Sequence, residues 1–129
     1  MIFGTGIDLV EIDRIEKIIQ KWNIRFLNMV YSPYEICYCS NKAFPAIHYA
    51  ARFAAKESFL KSLGMGLGMG IRLKDIEVKN NEHGKPILHL NGRARTILDD
   101  HGITSVHLSL SHTSKQAGAV VILESSHSN

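Results

Sequence analysis

Residues 53–61 read Phe-Ala-Ala-Lys-Glu-Ser-Phe-Leu-Lys, and this stretch predicts a helix that carries the polar groups of a functional site. Its alanines and aromatic residues are typical of a helix that is mostly buried. Glu57 and Lys61 are four residues apart, which places them on one face of such a helix. A partly buried carboxylate needs a cation nearby, and a partly buried ammonium needs an anion. The two side chains therefore form either a surface ion pair or part of a ligand site.

The start of the chain predicts a buried strand that contains a single acid. Residues 2–10 are otherwise apolar, apart from glycine and threonine, and the acid is Asp8. An uncompensated carboxylate in a buried strand is costly, so Asp8 either pairs with a cation, caps a helix or binds a metal ion. Together, Asp8, Glu57 and Lys61 are suited to Mg²⁺ that also contacts substrate phosphates.

Four separated motifs give the chain a resemblance to a known family. They are Gly-Ile-Asp-Leu-Val-Glu-Ile-Asp-Arg-Ile at 6–15, Arg-Phe-Ala-Ala-Lys-Glu-Ser-Phe-Leu-Lys at 52–61, Gly-Lys-Pro at 84–86 and Ser-Leu-Ser-His-Thr at 109–113. In these motifs and in their order, the chain resembles the holo-[acyl-carrier-protein] synthases, the small bacterial 4′-phosphopantetheinyl transferases. The resemblance spans nearly the whole chain, and four motifs in order are more specific than any one alone.

The resemblance implies an activity and a catalytic set. The activity is transfer of 4′-phosphopantetheine from coenzyme A to a serine of apo acyl carrier protein, with release of adenosine 3′,5′-bisphosphate, in support of fatty acid biosynthesis. Asp8 and Glu57 would bind Mg²⁺, and Lys61 would contact the pyrophosphate as the third catalytic residue. Phosphoryl transfer depends mainly on positioning and charge neutralisation, which such a set supplies. Either Glu57 or a water molecule held by the carboxylates would accept the serine proton.

The resemblance also assigns residues to each substrate. The nucleotide end of coenzyme A would be bound by Arg52, Lys56, Lys61, Gly64, Ser111, His112 and Thr113, with help from the glycine-rich loop of residues 64–70. Acidic acyl carrier protein would meet a basic face formed by Arg14, Lys17, Lys21 and Arg25. For the last three of these, a solvated helix face is the alternative. The family further implies a homotrimer with sites at subunit interfaces.

The pattern of elements predicts an α+β fold, which the resemblance narrows to the 4′-phosphopantetheinyl transferase-like fold. A small antiparallel sheet would pack against a long helix from Pro45 to Leu63. Residues 1–124 are expected to form one domain and residues 125–129 a disordered tail. Further helices are predicted after the first strand, near residues 25–27, from the cap Ser32 to about Cys39, and from the cap Asn91 to Gly102. Strands are predicted at 2–10, 75–79, 86–90, 105–112 and 117–123, the last two forming a hairpin.

The composition is that of an ordinary soluble protein. The chain has 129 residues, of which 45% are hydrophobic and 21% charged, with a net charge of +3. This modest excess favours anionic partners such as coenzyme A and an acidic carrier protein. No segment reads as a secretory signal or a membrane span, so a cytoplasmic location without a membrane partner is expected. Cys37 and Cys39 are expected to be structural thiols in a reducing compartment.

Two other functions use the same features. Another Mg²⁺-dependent phosphoryl or nucleotidyl transferase would use the same acids on a different substrate. A basic nucleic-acid-binding module is the non-enzymatic alternative, but the basic residues are dispersed and are not interleaved with aromatic residues, so nucleic acid is not an expected partner. The histidines lack metal-site spacing, since His107 and His112 fall on opposite faces of one strand, while His48 and His89 are expected to pack in the interior.

Overall fold

A long central helix, α4 (Pro45–Leu63), packs across one face of a three-stranded antiparallel sheet. This computed structural model describes residues 1–64 and 69–126. The sheet has the order β1 (Ile2–Glu11), β5 (Gln116–Ser125) and β4 (Ile103–His112). A second antiparallel pair, β2 (Ile76–Asn80) and β3 (Pro86–Leu90), packs beside β4 through β3. The predicted α+β class is confirmed.

Besides a 3-10 helix at Leu73–Asp75, four shorter α-helices complete the described fold. They are α1 (Ile12–Trp22), α2 (Ile24–Val30), α3 (Pro33–Ser40) and α5 (Gly92–Asp100). The predicted capping box at the start of α3 is present, because Ser32 and Glu35 exchange side-chain and backbone hydrogen bonds. None of the described helices is long and apolar enough to cross a membrane.

Two glycines in β1 allow α4 to pack unusually close to the sheet. A Cβ atom at Gly4 would lie 2.0 Å from the carbonyl oxygen of Ser62, and one at Gly6 would lie 1.9 Å from that of Ser58. Any side chain at either position would force the two backbones apart. The contact therefore fixes the position of β1 against the C-terminal half of α4, where the predicted site residues lie.

The core has two parts that meet along α4. The larger lies between α4 and the sheet, where Phe59, Val121 and Leu123 are fully buried. The smaller lies beneath the helices α1 to α3 and includes Ile15 and Tyr31. Both faces of α4 are therefore covered over most of its length, as its alanine-rich sequence predicts.

A buried ion pair joins α3, α4 and β2. The ammonium of Lys56 donates hydrogen bonds to Glu35 at 2.8 Å, to the carbonyl oxygen of Leu73 at 3.0 Å and to that of Ile76 at 2.6 Å. Both side chains of the pair are fully buried. The other carboxylate oxygen of Glu35 accepts the backbone N–H of Val78 at 2.9 Å. Since an ammonium has three N–H groups, Lys56 has none left for a ligand.

Several local predictions differ from the structure. The short turn predicted near residues 25–27 is the two-turn helix α2. Asn91 occupies the position before α5, but its side chain makes no capping hydrogen bond. Ser125 is the last residue of β5 rather than the first of a tail, and the backbone of Ser126 donates to Gly102 at 3.4 Å. The rest of the predicted tail, residues 127–129, lies outside the described residues.

Candidate functional site

The close contact of β1 with α4 brings Asp8 and Lys61 together. Lys61 Nζ donates to Asp8 Oδ1 at 2.9 Å and to the carbonyl oxygen of Ile7 at 3.0 Å. The Asp8 side chain is 17% exposed and that of Lys61 is 54% exposed. Two of the three ammonium N–H groups are thus used, and the third remains available to a ligand. Among the described residues, Lys61 forms its ion pair with Asp8 and not with Glu57, so the alternative of a surface pair within the helix is not formed.

Glu57 adds a second carboxylate to this cluster. It is half-buried and lines, together with Asp8, a cavity of about 340 Å³. Burial raises the pKa of Glu57, the nearby charge of Asp8 raises it further, and Lys61 opposes both effects. Asp8, Glu11 and Glu57 line the cavity together with Arg14, and Lys61 pairs with Asp8. Three carboxylates therefore stand against two cationic side chains, which leaves an excess of negative charge at the cavity.

The donor set fits a hard divalent cation that keeps open positions. Mg²⁺ is usually bound by one or two carboxylates together with substrate phosphates and water. Within residues 1–64 and 69–126, no group of three or more histidine, cysteine, aspartate or glutamate side chains is arranged to hold a metal ion. The carboxylates of Asp8 and Glu57, which line one cavity and repel each other, would supply the protein ligands, and a cation would relieve that repulsion.

The same cavity continues toward α1 and the predicted carrier-binding face. Arg14 lines it, as do the apolar side chains of Ile18, Phe26 and Phe53. Along α1, a shallow groove of about 400 Å³ is lined by Arg14, Lys17 and Lys21 and by the acids Glu11 and Asp13, so basic side chains outnumber acidic ones there by three to two. Three of the four predicted carrier-binding residues thus share one surface next to Asp8 and Glu57.

Arg25, the fourth predicted carrier-binding residue, lies apart from this surface, and Lys17 on the surface is paired with an acid. Arg25 is exposed on α2 but lines neither the cavity nor the groove. Lys17 forms an exposed ion pair with Asp13 at 2.9 Å, so its charge is shared within α1. A pair of this kind contributes little to stability and can open to meet an acidic partner.

A second cavity collects three residues predicted to bind the nucleotide. Arg52 from α4 and Ser111 and His112 from the end of β4 line a space of about 230 Å³. Arg52 is only 3% exposed. Its Nη2 donates to Asn80 Oδ1 at 3.1 Å and its Nη1 donates to the carbonyl oxygen of His48 at 3.5 Å.

Other residues assigned to the nucleotide do not line this cavity. Lys56 is enclosed by its partners in the core, so its geometry argues against contact with coenzyme A. The hydroxyl of Thr113 accepts the backbone N–H groups of Lys115 and Gln116, each at 3.1 Å, and thereby shapes the β4–β5 turn. Gly64 ends α4 in the left-handed region with a φ of 73°. The loop predicted to follow it includes residues 65–68, which lie outside the described residues.

Among the lining residues of the second cavity that were not predicted as site residues, three carry a polar group. They are Tyr38, His48 and Asn80. His48 was expected to pack in the interior, yet it lines the cavity, with its ring edge-to-face against Tyr38 at 6.0 Å. Burial lowers the pKa of His48, and the charges of Arg52, Lys42 and His112 lower it further. His48 lies one helical turn before Arg52, a spacing that could have revealed it, whereas Tyr38 and Asn80 reach the cavity from other elements.

The chain is similar to known proteins over nearly its whole length. The family model described as the 4′-phosphopantetheinyl transferase superfamily matches residues 4–121. A holo-[acyl-carrier-protein] synthase of Syntrophus aciditrophicus (strain SB) is 69% identical over 124 residues, which are 96% of this chain and 97% of the relative. The crystal structure of the same enzyme from Neisseria meningitidis superposes with a TM-score of 0.89 at 31% identity, covering 96% of this chain and 99% of that one. That from Bacillus anthracis, in complex with CoA (3′,5′-ADP), has a TM-score of 0.80 at 38% identity, covering 98% and 99%.

Proposed function

This chain belongs to the 4′-phosphopantetheinyl transferase superfamily, and from that premise we propose how its own residues perform the reaction. It transfers the 4′-phosphopantetheine group from coenzyme A to a serine of apo acyl carrier protein, which is the activity of a holo-[acyl-carrier-protein] synthase. The product, holo carrier protein, serves fatty acid biosynthesis. The observation that carries the residue assignments is the cluster of Asp8, Glu57 and Lys61 where β1 meets α4.

The three residues of this cluster act on the pyrophosphate of coenzyme A. Asp8 and Glu57 would hold Mg²⁺, which would supply positive charge for the pyrophosphate when bound. Lys61 is held by Asp8 and the carbonyl oxygen of Ile7, which leaves one N–H for a ligand. That N–H donates to a phosphate oxygen and helps to stabilise the charge that develops as the bond to the leaving nucleotide breaks.

The nucleotide end of coenzyme A binds in the cavity of Arg52, Ser111 and His112. Arg52 is only 3% exposed, and a buried guanidinium is costly unless an anion such as phosphate compensates its charge. The relative from Bacillus anthracis was crystallised with the corresponding nucleotide ligand. A third, shallow surface connects the two cavities, because it is lined both by Asp8 of the first cavity and by Ser111 of the second.

Acyl carrier protein docks on the α1 side of the metal-binding cavity. Arg14 links the groove along α1 with the cavity of Asp8 and Glu57. Its charge attracts acidic side chains of the carrier, and the apolar wall of Ile18 and Phe26 offers contact area around it. Lys17 and Lys21 extend the same basic surface, while Arg25 is assigned a peripheral role.

The active enzyme is a homotrimer whose subunits share each site. The sheet face opposite α4 exposes Ile7 at 63%, Leu9 at 66% and Val120 at 37%. Apolar patches of this kind commonly mark protein interfaces. Ser111 lies at the border of this face and of the nucleotide cavity, so a neighbouring copy seated there would help to enclose coenzyme A. Two free cysteines are compatible with the reducing cytoplasm, where we place the reaction.

The test is transfer to a purified carrier. The chain is incubated with coenzyme A, Mg²⁺ and apo acyl carrier protein, and the intact mass of the carrier is measured. We expect the carrier to gain one phosphopantetheine group, and we expect the gain to vanish when a chelator removes the metal or when the carrier serine is replaced by alanine. No gain under conditions where another enzyme of the family modifies the carrier would contradict the proposal and favour a different phosphoryl or nucleotidyl transferase.

A further inference from the structure

Arg52 carries a buried positive charge that no acid of the described chain neutralises. The ion pairs among the described residues involve other basic side chains, and none includes Arg52. Its Nε is buried and has no hydrogen-bond partner there. The guanidinium therefore keeps its full charge and part of its hydrogen-bonding capacity at the wall of the nucleotide cavity.

Two uncharged side chains hold this guanidinium in place. Asn80 Oδ1 accepts a hydrogen bond from Nη2 at 3.1 Å, and the Tyr38 ring lies with its centroid 4.2 Å from the guanidinium carbon. The orientation of the Asn80 amide is fixed from its other end, because Nδ2 donates to the carbonyl oxygen of Gly84 at 3.0 Å. The ammonium of Lys42 lies 4.4 Å from the centroid of the same Tyr38 ring, which adds a second positive charge near the cavity.

We infer that Asn80 and Tyr38 form a neutral clamp that orients Arg52 toward a phosphate of the bound nucleotide without neutralising its charge. Asn80 is then a positioning residue, because it acts through Arg52 and is not required to touch the phosphate itself. This inference rests on the proposed function, which places the nucleotide end of coenzyme A in the cavity.

Because the clamp carries no charge, it orients Arg52 without competing with a phosphate. A carboxylate at position 80 would make a charge-assisted bond to Arg52 and would stabilise the buried charge better than an amide does. The same carboxylate would compete with the phosphate for the guanidinium and would repel it. An amide and an aromatic ring fix the geometry while leaving the charge available, which favours ligand binding at the expense of stability in the free protein.

Asn80→Asp separates positioning from a general structural role. Affinity is measured by calorimetry with adenosine 3′,5′-bisphosphate on the full chain without metal, and thermal stability is measured in parallel. We expect the dissociation constant to rise about tenfold, because the ligand must displace a new ion pair. We expect the melting temperature to stay the same or rise, because Arg52 gains a counter-ion. Weaker binding in an equally stable protein is not expected of a residue that only supports the fold.

Three further variants control for other causes. Asn80→Ala removes the acceptor and is expected to weaken binding about threefold. Asn81→Ala disturbs the same turn, where its side chain accepts from His83 and Lys85, and is expected to leave affinity within about twofold of the wild type. Tyr38→Phe keeps the ring and should bind as the wild type does, whereas Tyr38→Leu should bind more weakly.

The outcomes that overturn the clamp differ from those that overturn the proposed function. If the wild type binds the bisphosphate and Asn80→Asp binds within about twofold of it, the clamp is wrong and the site stands. If Asn80→Asp does not fold, Asn80→Ala decides the matter, and unchanged affinity in that variant also overturns the clamp. A wild type that neither binds the bisphosphate nor modifies the carrier contradicts the proposed function instead.

Discussion

A half-buried carboxylate at position 57 is retained at a cost in stability. Burial and the charge of Asp8 both raise the pKa of Glu57, so its ionised form is disfavoured in the folded protein. We expect Glu57→Gln to reduce transfer at least about a hundredfold, because a ligand charge is lost while the shape is kept. The free energy of unfolding should be unchanged or higher, since the amide does not carry the buried charge.

Initial rates with carrier protein and urea unfolding measure these two effects. Glu16→Gln, which makes the same chemical change on the exposed face of α1, serves as the control and should leave both quantities unchanged. Near-normal turnover in Glu57→Gln would count against Glu57 as a metal ligand.

His48 reports on the charge of the nucleotide cavity. Its pKa lies below the ordinary value of 6.5, because burial and three neighbouring cationic side chains disfavour the protonated ring. As the pH falls below 6.5, His48 therefore binds a proton more readily in the unfolded chain than in the folded protein. This difference lowers the free energy of unfolding in that range. A bound phosphate would reverse the electrostatic part of the shift.

We expect the NMR titration of His48 to move to higher pH when adenosine 3′,5′-bisphosphate is added. His48→Asn identifies the resonance by its disappearance. A midpoint in the free protein at or above 6.5, or one that does not respond to saturating ligand, would contradict this account of the cavity.

Residue roles were predictable from the sequence only where spacing fixed them. Glu57 and Lys61 were placed correctly on one face of α4, but the partner of Lys61 is Asp8, which lies far away in the chain. Lys56 belongs to the same motif, yet its side chain points into the core, since the partner that holds it, Glu35, comes from α3. A motif identifies which residues are present, whereas the packing of distant elements decides which of them face a ligand.

At the scale of elements, the contact of β1 with α4 determines whether the site forms. Gly6→Ala would place a methyl group within 1.9 Å of a helix carbonyl oxygen, so the strand and the helix must separate. We expect a loss of about 3 kcal/mol in the free energy of unfolding, at the upper end for overpacked positions. Transfer should fall as well, because Asp8 moves away from Lys61 and Glu57.

Denaturant unfolding and carrier modification test this expectation. Thr5→Ala, at the exposed neighbouring position of the same strand, should cost less than about 1 kcal/mol and preserve activity. A Gly6→Ala protein as stable and active as the wild type would show that the close approach is not required.

The sequence predicted elements well where their ends carry strong signals. Pro45 and Gly64 bound α4 as expected, and the capping box starts α3. The helix α2 has no such signal, because Asn23 precedes it with a positive φ of 49° and makes no side-chain cap. Its existence depends on Leu27 and Val30, which are buried against other helices, and this tertiary packing cannot be read from local sequence.

At the scale of the whole molecule, the basic surface on α1 predicts that the carrier protein and the nucleotide end of coenzyme A bind to different surfaces. We expect Arg14→Ala to weaken binding of apo acyl carrier protein about tenfold, because the charge faces an acidic partner. The affinity for coenzyme A should fall less, because Asp8, Glu57 and Lys61 act on its pyrophosphate and its nucleotide end binds in the cavity of Arg52. Surface plasmon resonance with immobilised carrier, compared with calorimetry using coenzyme A, measures both. Equal carrier affinity in Arg14→Ala and wild type would refute the role.

The exposed sheet face predicts how copies of the chain associate. Ile7→Lys puts a charge on that face, and we expect the assembly to fall from three copies to one, with loss of transfer because each site is shared. Light scattering after size-exclusion chromatography gives the mass. Met29→Lys, an equally exposed apolar position on α2, should leave the mass unchanged. A wild type that is monomeric, or an Ile7→Lys protein that still forms trimers, would refute this interface.

The close contact between β1 and α4 also means that metal binding should make the catalytic centre more rigid. Asp8 lies on β1 and Glu57 on α4, so a cation bound by both carboxylates would link two segments that are far apart in the chain. Metal binding would then stabilise the folded state by mass action. The more tightly the metal is bound, the less often β1 would separate from α4. With metal bound, the catalytic centre would therefore be one of the most rigid parts of the enzyme, and conformational changes would occur in other segments.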